Sequence, residues 1–285
     1  MKNTPVIWKA RGRRLDLSRR GMVMGILNVT PDSFSDGGRF SDVESALMQA
    51  RRMIADGADI IDVGGESTRP GADSVEEAEE LRRTRPVVEA LSREWDGLVS
   101  IDTTKAAVAE AALAAGAQIV NDVTALLGDV RMVEVVRDHD AGVVVMHMQG
   151  EPRTMQLNPQ YDDVVEDVRN YFLERFEVLT AAGIQSERIC FDPGIGFGKS
   201  LEHNLALLAK LERLEVEGRP LLIGVSRKSF IGMVLERDAV EDREWPTVAL
   251  TAYTREQGAR VHRVHSVKEN REALRMVEAV METHR

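Results

Sequence analysis

The amino-acid sequence predicts an α/β fold, a (β/α)8 TIM barrel with a short N-terminal β-hairpin. Eight short apolar runs, each partly β-branched and apolar on both faces, recur along the chain, as parallel strands buried beneath helices do. The stretches between them carry the i, i+3, i+4, i+7 spacing of helices with one buried stripe. Several of these helical patterns stop at a glycine, and a near-repeated turn then leads into the next apolar run. Eight such units in about 265 residues suit a closed barrel, with an open doubly wound sheet as the structural rival.

The strand candidates are residues 22–27, 59–63, 98–101, 117–120, 142–146, 188–191, 220–225 and 261–264. Among the helices, Val43, Ala46, Leu47, Ala50, Met53 and Ile54 form one stripe. Val164, Val168, Phe172, Phe176 and Leu179 form a second, and Leu201, Leu205, Leu208 and Leu211 a third. Gly57, Gly116, Gly183 and Gly258 are expected in the left-handed conformation that ends a helix. Residues 6–10 and 13–17, broken at Gly12, read as a hairpin that covers one end of the barrel. Two units result: a hairpin extension over residues 1–20 and a single barrel domain over 21–285.

The bulk composition excludes several functions. The chain has 285 residues, 37 Lys plus Arg against 47 Asp plus Glu, and a net charge of -10, a poor match to nucleic acid. A small anionic substrate needs only local cations and stays possible. The single cysteine, Cys190, lies in an apolar run and reads as a buried small side chain rather than a catalytic thiol. With no intramolecular disulfide possible, no signal-peptide pattern and no membrane-length apolar run, a soluble cytoplasmic protein is expected.

In such barrels chemistry gathers where strands end and loops begin. Here the eight runs lead into Asn28, Asp62, Asp102, Asn121-Asp122, His147, Asp192, Ser226-Arg227-Lys228-Ser229 and Arg263 with His265. Polar groups at all eight ends predict a site on one rim. Asp102, Asn121 and Asp192 offer acceptors and an amide to the N–H edge of a flat heterocycle. Arg69, Lys228, Arg263 and His265 suit phosphate or carboxylate. A ligand flat and polar at one end and anionic at the other satisfies both sets. Residues 226–229 are expected to open a helix whose first turn favours an anion.

The stretch from Asp192 to Ser200 superficially looks like a nucleotide loop. A P-loop requires glycine where Pro193 stands, and a dinucleotide fingerprint requires glycine at Lys199, so both fail on spacing. What remains is a flexible turn bringing backbone and Phe197 close to a ligand. The chain has no nucleophile elbow and no zinc-type ligand array. That favours a reaction driven by a good leaving group, in which the protein positions reactants and stabilises charge.

At these residues the sequence resembles the dihydropteroate synthases. Residues 24–38 (MGILNVTPDSFSDGG) are similar to that family's first signature, and 59–72 (DIIDVGGESTRPGA) to its second. Agreement continues through Asn121-Asp122, residues 192–199, residues 226–229 and Arg263-Val264-His265, across nearly the whole chain. The resemblance implies joining (7,8-dihydropterin-6-yl)methyl diphosphate to 4-aminobenzoate, with Mg²⁺ as cofactor and a homodimer as the assembly. It places the pterin on Asp102, Asn121, Asp192, Phe197 and Lys228, with Arg263 over its face. Lys228, Arg263 and Asp102 are the catalytic candidates. Asn28 is implied as metal ligand, with Thr68, Arg263 and His265 gripping the diphosphate. Phe34, Thr68, Pro70 and Ser229 are implied around 4-aminobenzoate.

Two departures stand out. Ser266 occupies the place where the family usually has aspartate, and Arg-Val-His occurs twice, at 260–262 and 263–265. The usual three-residue spacing from Gly258-Ala259 selects the second copy, and a shift of three residues inverts strand parity. The rivals are pterin-binding methyltransferases, which need no diphosphate grip, and a paralogue that binds pterin without turnover.

Overall fold

The computed structural model describes residues 5–29, 39–67, 74–150 and 155–283, with side chains from residue 43 onward in the second stretch. The chain opens with an antiparallel hairpin, β1 (Ile7–Ala10) and β2 (Arg13–Asp16), paired Ile7 to Asp16 and Ala10 to Arg13. The tight turn puts Arg11 and Gly12 at positive φ.

Eight parallel strands follow: β3 (Met22–Asn28), β4 (Ile60–Gly64), β5 (Leu98–Asp102), β6 (Ile119–Asp122), β7 (Gly142–Met146), β8 (Ile189–Asp192), β9 (Leu222–Ile223) and β10 (Val261–Val264). Their order is β8-β7-β6-β5-β4-β3-β10-β9, and a parallel bridge between Phe191 and Leu221 brings the two edges together. This is the expected barrel. The helices α1 (Arg39–Ala55), α2 (Glu77–Glu94), α3 (Ala106–Ala114), α4 (Met132–Asp138), α5 (Val164–Ala181), α6 (Leu201–Ala209), α7 (Ser229–Leu235), α8 (Glu244–Glu256) and α9 (Val267–Glu282) alternate with the strands.

Strand alternation divides the core in two. Side chains facing outward, such as Val63, Ile101, Val120 and Val145, pack with the helices in the larger cluster. One inward residue from each strand (Met24, Ile60, Leu98, Ile119, Val144, Cys190, Leu222 and Val261) forms a closed layer inside the barrel. Trp8, Ala10 and Leu17 of the N-terminal segment pack against that layer and seal the N-terminal end. Trp8 is fully buried, and its Nε1–H donates to the Arg188 carbonyl at 2.8 Å. Cys190 sits in the sealed layer, where burial raises its thiol pKa, as a small apolar side chain rather than a nucleophile.

Gly57, Gly116, Gly183 and Gly258 all have positive φ, as expected of helix ends. Four strands start later than their apolar runs suggest, at Ile60, Ile119, Ile189 and Leu222, and an α-helix end precedes the first two. Ala58 and Ala117 each donate back to a helix carbonyl, Met53 and Ala112, so the chain finishes its cap before pairing begins. The third stripe is also narrower than its spacing implies, because Leu205 is 43% exposed while Leu208 and Leu211 are buried.

Candidate active site

The same parity that builds the floor builds the site. Continuing inward and upward from the sealed layer, the positions are Ile26 and Asn28, Asp62, Ser100 and Asp102, Asn121, Met146, Asp192, Gly224, then Arg263 and His265. They end in a cavity of about 430 Å³ at the C-terminal mouth, lined by Asn28, Ser67, Asp102, Asn121, Asp192, Phe197, Ser226, Lys228, Ser229, Arg263 and His265, among others. Of the described strand-end residues expected at the site, Asn28, Asp102, Asn121, Asp192, residues 226–229, Arg263 and His265 line it, whereas Asp62, Asp122 and His147 do not.

At the centre, Arg263 joins two carboxylates. Its Nε donates to Asp62 Oδ2 at 2.7 Å and its Nη2 to Asp102 Oδ2 at 2.6 Å, while Asn121 Nδ2 donates to Asp62 Oδ2 at 3.0 Å. Burial works against the guanidinium charge, but Asp62 and Asp102 more than offset it and hold its pKa above the ordinary value. Burial likewise pushes Asp102 up, to about 7, against the pull of Arg263. Acidic and basic side chains are therefore interleaved here. Asp62 Oδ1 and Asp102 Oδ1 are buried and accept no hydrogen bond from the described residues. Such acceptors carry a desolvation cost of about 1–3 kcal/mol until a donor reaches them.

On the opposite side of the cavity Asp192 accepts from the Gly194 amide at 2.7 Å, and burial raises its pKa despite Lys228. Burial lowers Lys228 to about 8, with Asp192 opposing. Its ammonium lies 4.4 Å from the centre of the Phe197 ring and donates to the Ile195 carbonyl. The turn from Gly194 to Gly198 runs against the chain that leaves β7. A Cβ on Gly194 would stand 2.0 Å from the His147 carbonyl oxygen, so glycine is required there.

Toward the rim, Ser226 Oγ lies 2.9 Å from His265 Nδ1 and accepts from the His265 amide at 3.2 Å. Ser229 is the first residue of α7, but Lys228 holds the N-cap position and no side chain caps it. The serines thus do not cap the helix, whose first turn opens at Ser229 as expected. Arg227 has φ of 58°, and its guanidinium bonds Glu244 at 2.6 Å and Ser266 Oγ at 3.2 Å. Ser266 is therefore a partner of the loop that carries Lys228.

A model of the pterin-binding enzymes matches residues 24–265. Dihydropteroate synthase of Escherichia coli K12 is 47% identical over 272 residues, covering 95% of each chain. The chain belongs to the dihydropteroate synthase family. Among solved structures, the Yersinia pestis dihydropteroate synthase in a sulfonamide drug complex has TM-score 0.91 and 47% identity, covering 97% of this chain and 100% of that one. The Burkholderia cenocepacia dihydropteroate synthase complexed with 7,8-dihydropteroate has TM-score 0.88 and 44% identity, covering 98% of each.

Within this dihydropteroate synthase fold, the duplicated tripeptide resolves by direction. Arg263 and His265 line the cavity, whereas His262 points outward, buried between barrel and helices, its Nε2 without a hydrogen bond among the described residues. Phe34, Thr68, Arg69 and Pro70 lie outside the described residues. Asp62 was not singled out as a ligand residue, although its parity with Ile60 signals it. Asn28 presents a single neutral oxygen donor at the mouth, and no group of three His, Cys, Asp or Glu among the described residues could cage a metal. That donor chemistry fits Mg²⁺ shared with a substrate diphosphate, because Mg²⁺ typically takes one or two protein oxygens and completes its shell with phosphate and water.

Proposed function

We propose that this chain condenses (7,8-dihydropterin-6-yl)methyl diphosphate with 4-aminobenzoate to give 7,8-dihydropteroate and diphosphate. One observation carries the site assignment: buried oxygens of Asp62 and Asp102, which accept nothing from the described residues, sit beneath a cationic rim at the mouth of a dihydropteroate synthase fold. Asp102, Asn121 and Asp192 hold the pterin, whose adjacent N–H groups supply the donor that Asp102 Oδ1 lacks among the described residues. Phe197 and Lys228 form the facing wall. Arg263, kept charged by Asp62 and Asp102, and His265, oriented by Ser226, face the diphosphate together with Thr68.

The C–O bond between the pterin methylene and diphosphate breaks with both electrons leaving on oxygen. The 4-aminobenzoate nitrogen then forms the C–N bond and releases its proton. Asp102 and Asp192 stabilise the positive charge left on the pterin, and Lys228 and Arg263 stabilise the departing anion. Asn28 would hold Mg²⁺, which supplies Lewis-acid neutralisation of the leaving group. Ser229, at the start of α7, receives the carboxylate of 4-aminobenzoate, with Phe34, Thr68 and Pro70 around the ring.

The same reading includes a homodimer in the cytoplasm. Met233, Val234, Val240 and Trp245 are exposed on and between α7 and α8, Trp245 by 76%, which supports a covered face there. No described helix is long and apolar enough to cross a membrane. Pure protein incubated with both substrates and Mg²⁺ should release dihydropteroate and diphosphate in equal amounts. Pterin binding without diphosphate release would overturn the synthase reading.

A further inference from the structure

Lys199 sits behind the lining of the cavity, 3% exposed, and the reaction as derived above does not use it. Among the described residues no carboxylate forms an ion pair with its ammonium. Instead Nζ lies 3.0 Å from His147 Nδ1 and donates to the His147 carbonyl at 3.3 Å and the Phe197 carbonyl at 2.9 Å. Nζ thus meets two carbonyls and one imidazole nitrogen. Burial holds His147 neutral, with a pKa lowered to about 3, and in its Nε2–H tautomer Nδ1 accepts from the ammonium.

The three acceptors belong to two different loops. His147 follows β7, and Phe197 lies in the glycine turn after β8. That turn is held carbonyl by carbonyl. Gln156 Nε2 donates to Gly196, Lys199 to Phe197, and Tyr161 OH to Gly198 at 2.8 Å. Of these three donors Lys199 alone is buried, and it alone also reaches the strand end. His147 is itself packed edge-on against Tyr171, with ring centres 4.9 Å apart. The clamp is therefore anchored in packed core, and its far end is the residue whose ring faces Lys228.

We propose that Lys199 is a positioning residue for the pterin cavity: it ties the glycine turn to His147 and so fixes Phe197 against Lys228. A buried ammonium without a counter-ion is costly, and burial lowers the Lys199 pKa to about 7 despite Asp192. A neutral amine would keep both carbonyls and accept from His147 Nδ1–H in the other tautomer, so the clamp is made in either state. A lysine of this kind adds little to stability and much to the shape of one wall, the pattern expected of a residue kept for function.

The inference rests on the synthase reading for the identity of the ligand, and a double-mutant cycle tests it separately from turnover. Calorimetry with (7,8-dihydropterin-6-yl)methyl diphosphate compares wild type, Lys199→Met, Phe197→Ala and the double variant. Lys199→Met is expected to weaken binding about tenfold, and the double variant should be no weaker than Phe197→Ala alone. In steady state the loss should fall on KM for the pterin substrate, with KM for 4-aminobenzoate and kcat unchanged. Wild-type affinity in Lys199→Met, or losses that multiply in the double variant, would overturn the proposal. Thermal melting checks folding; if the methionine variant does not fold, Lys199→Gln takes its place in the cycle with the same two outcomes. Failure of wild type to make dihydropteroate would sink the synthase reading alone, since the binding cycle does not depend on turnover.

Discussion

Asp192 illustrates how much of this site rests on single side chains. Its carboxylate is fixed by the Gly194 amide and feels the charge of Lys228 on the same wall, yet burial raises its pKa. Asp192→Asn keeps the shape and removes the charge, so the fold should survive while pterin affinity falls by about 10- to 100-fold, as loss of a charge-assisted hydrogen bond implies. Calorimetry beside a thermal melt reads both; unchanged affinity would place the pterin elsewhere. The two Arg-Val-His copies give a second test at this scale. His265→Ala should weaken diphosphate binding, whereas His262→Ala should leave it unchanged, because His262 points away from the cavity.

At the scale of elements, His262 has a different consequence. Burial lowers its pKa to about 3, with Arg255 and Arg271 adding to the effect. Below the ordinary value of 6.5 the unfolded chain takes up a proton that the folded chain refuses until about pH 3. Its contribution to stability is therefore complete above pH 6.5 and is lost as pH falls through that window, by up to about 1.4 kcal/mol per pH unit. Denaturant titrations between pH 7 and 5 should show a shallower loss for His262→Gln than for wild type, and parallel curves would contradict it. Other groups, including Asp102, titrate in the same range with the opposite sign, so the comparison with the variant isolates the histidine.

Elements were legible in the sequence to different degrees, for physical reasons. β7 coincides with its apolar run, buried on both faces throughout, and so does β10, where only Arg263 is partly exposed. β9 shrinks to Leu222–Ile223 within a run of six, because Pro220 has no amide to donate and Gly224 carries no side chain to pack. The strand ends predicted the site because parallel strands in a barrel all present the same end to one mouth. Asp62 was legible by alternation but hidden by its place beneath Asn121 and Arg263. Lys199 was not legible: nothing in sequence separation shows that it meets His147, 52 residues away.

Over the whole molecule, the two ends of the barrel carry different work. The N-terminal end is closed by Trp8, Ala10 and Leu17 over eight apolar side chains, and the C-terminal end keeps its carboxylates buried and only partly satisfied. Trp8→Ala should lower stability by about 3–5 kcal/mol, as truncation of a buried tryptophan does. Its KM for the pterin substrate should hold, since the plug lies at the end opposite the cavity; a changed KM would show the two ends coupled. The central claim is that side chains distant in sequence meet one ligand at one mouth. A crystal structure of this protein with 7,8-dihydropteroate tests it most directly. The pterin ring should sit within hydrogen-bond distance of Asp102 Oδ1, Asn121 and Asp192, with Phe197 beside it. A product bound away from those three residues would contradict the account.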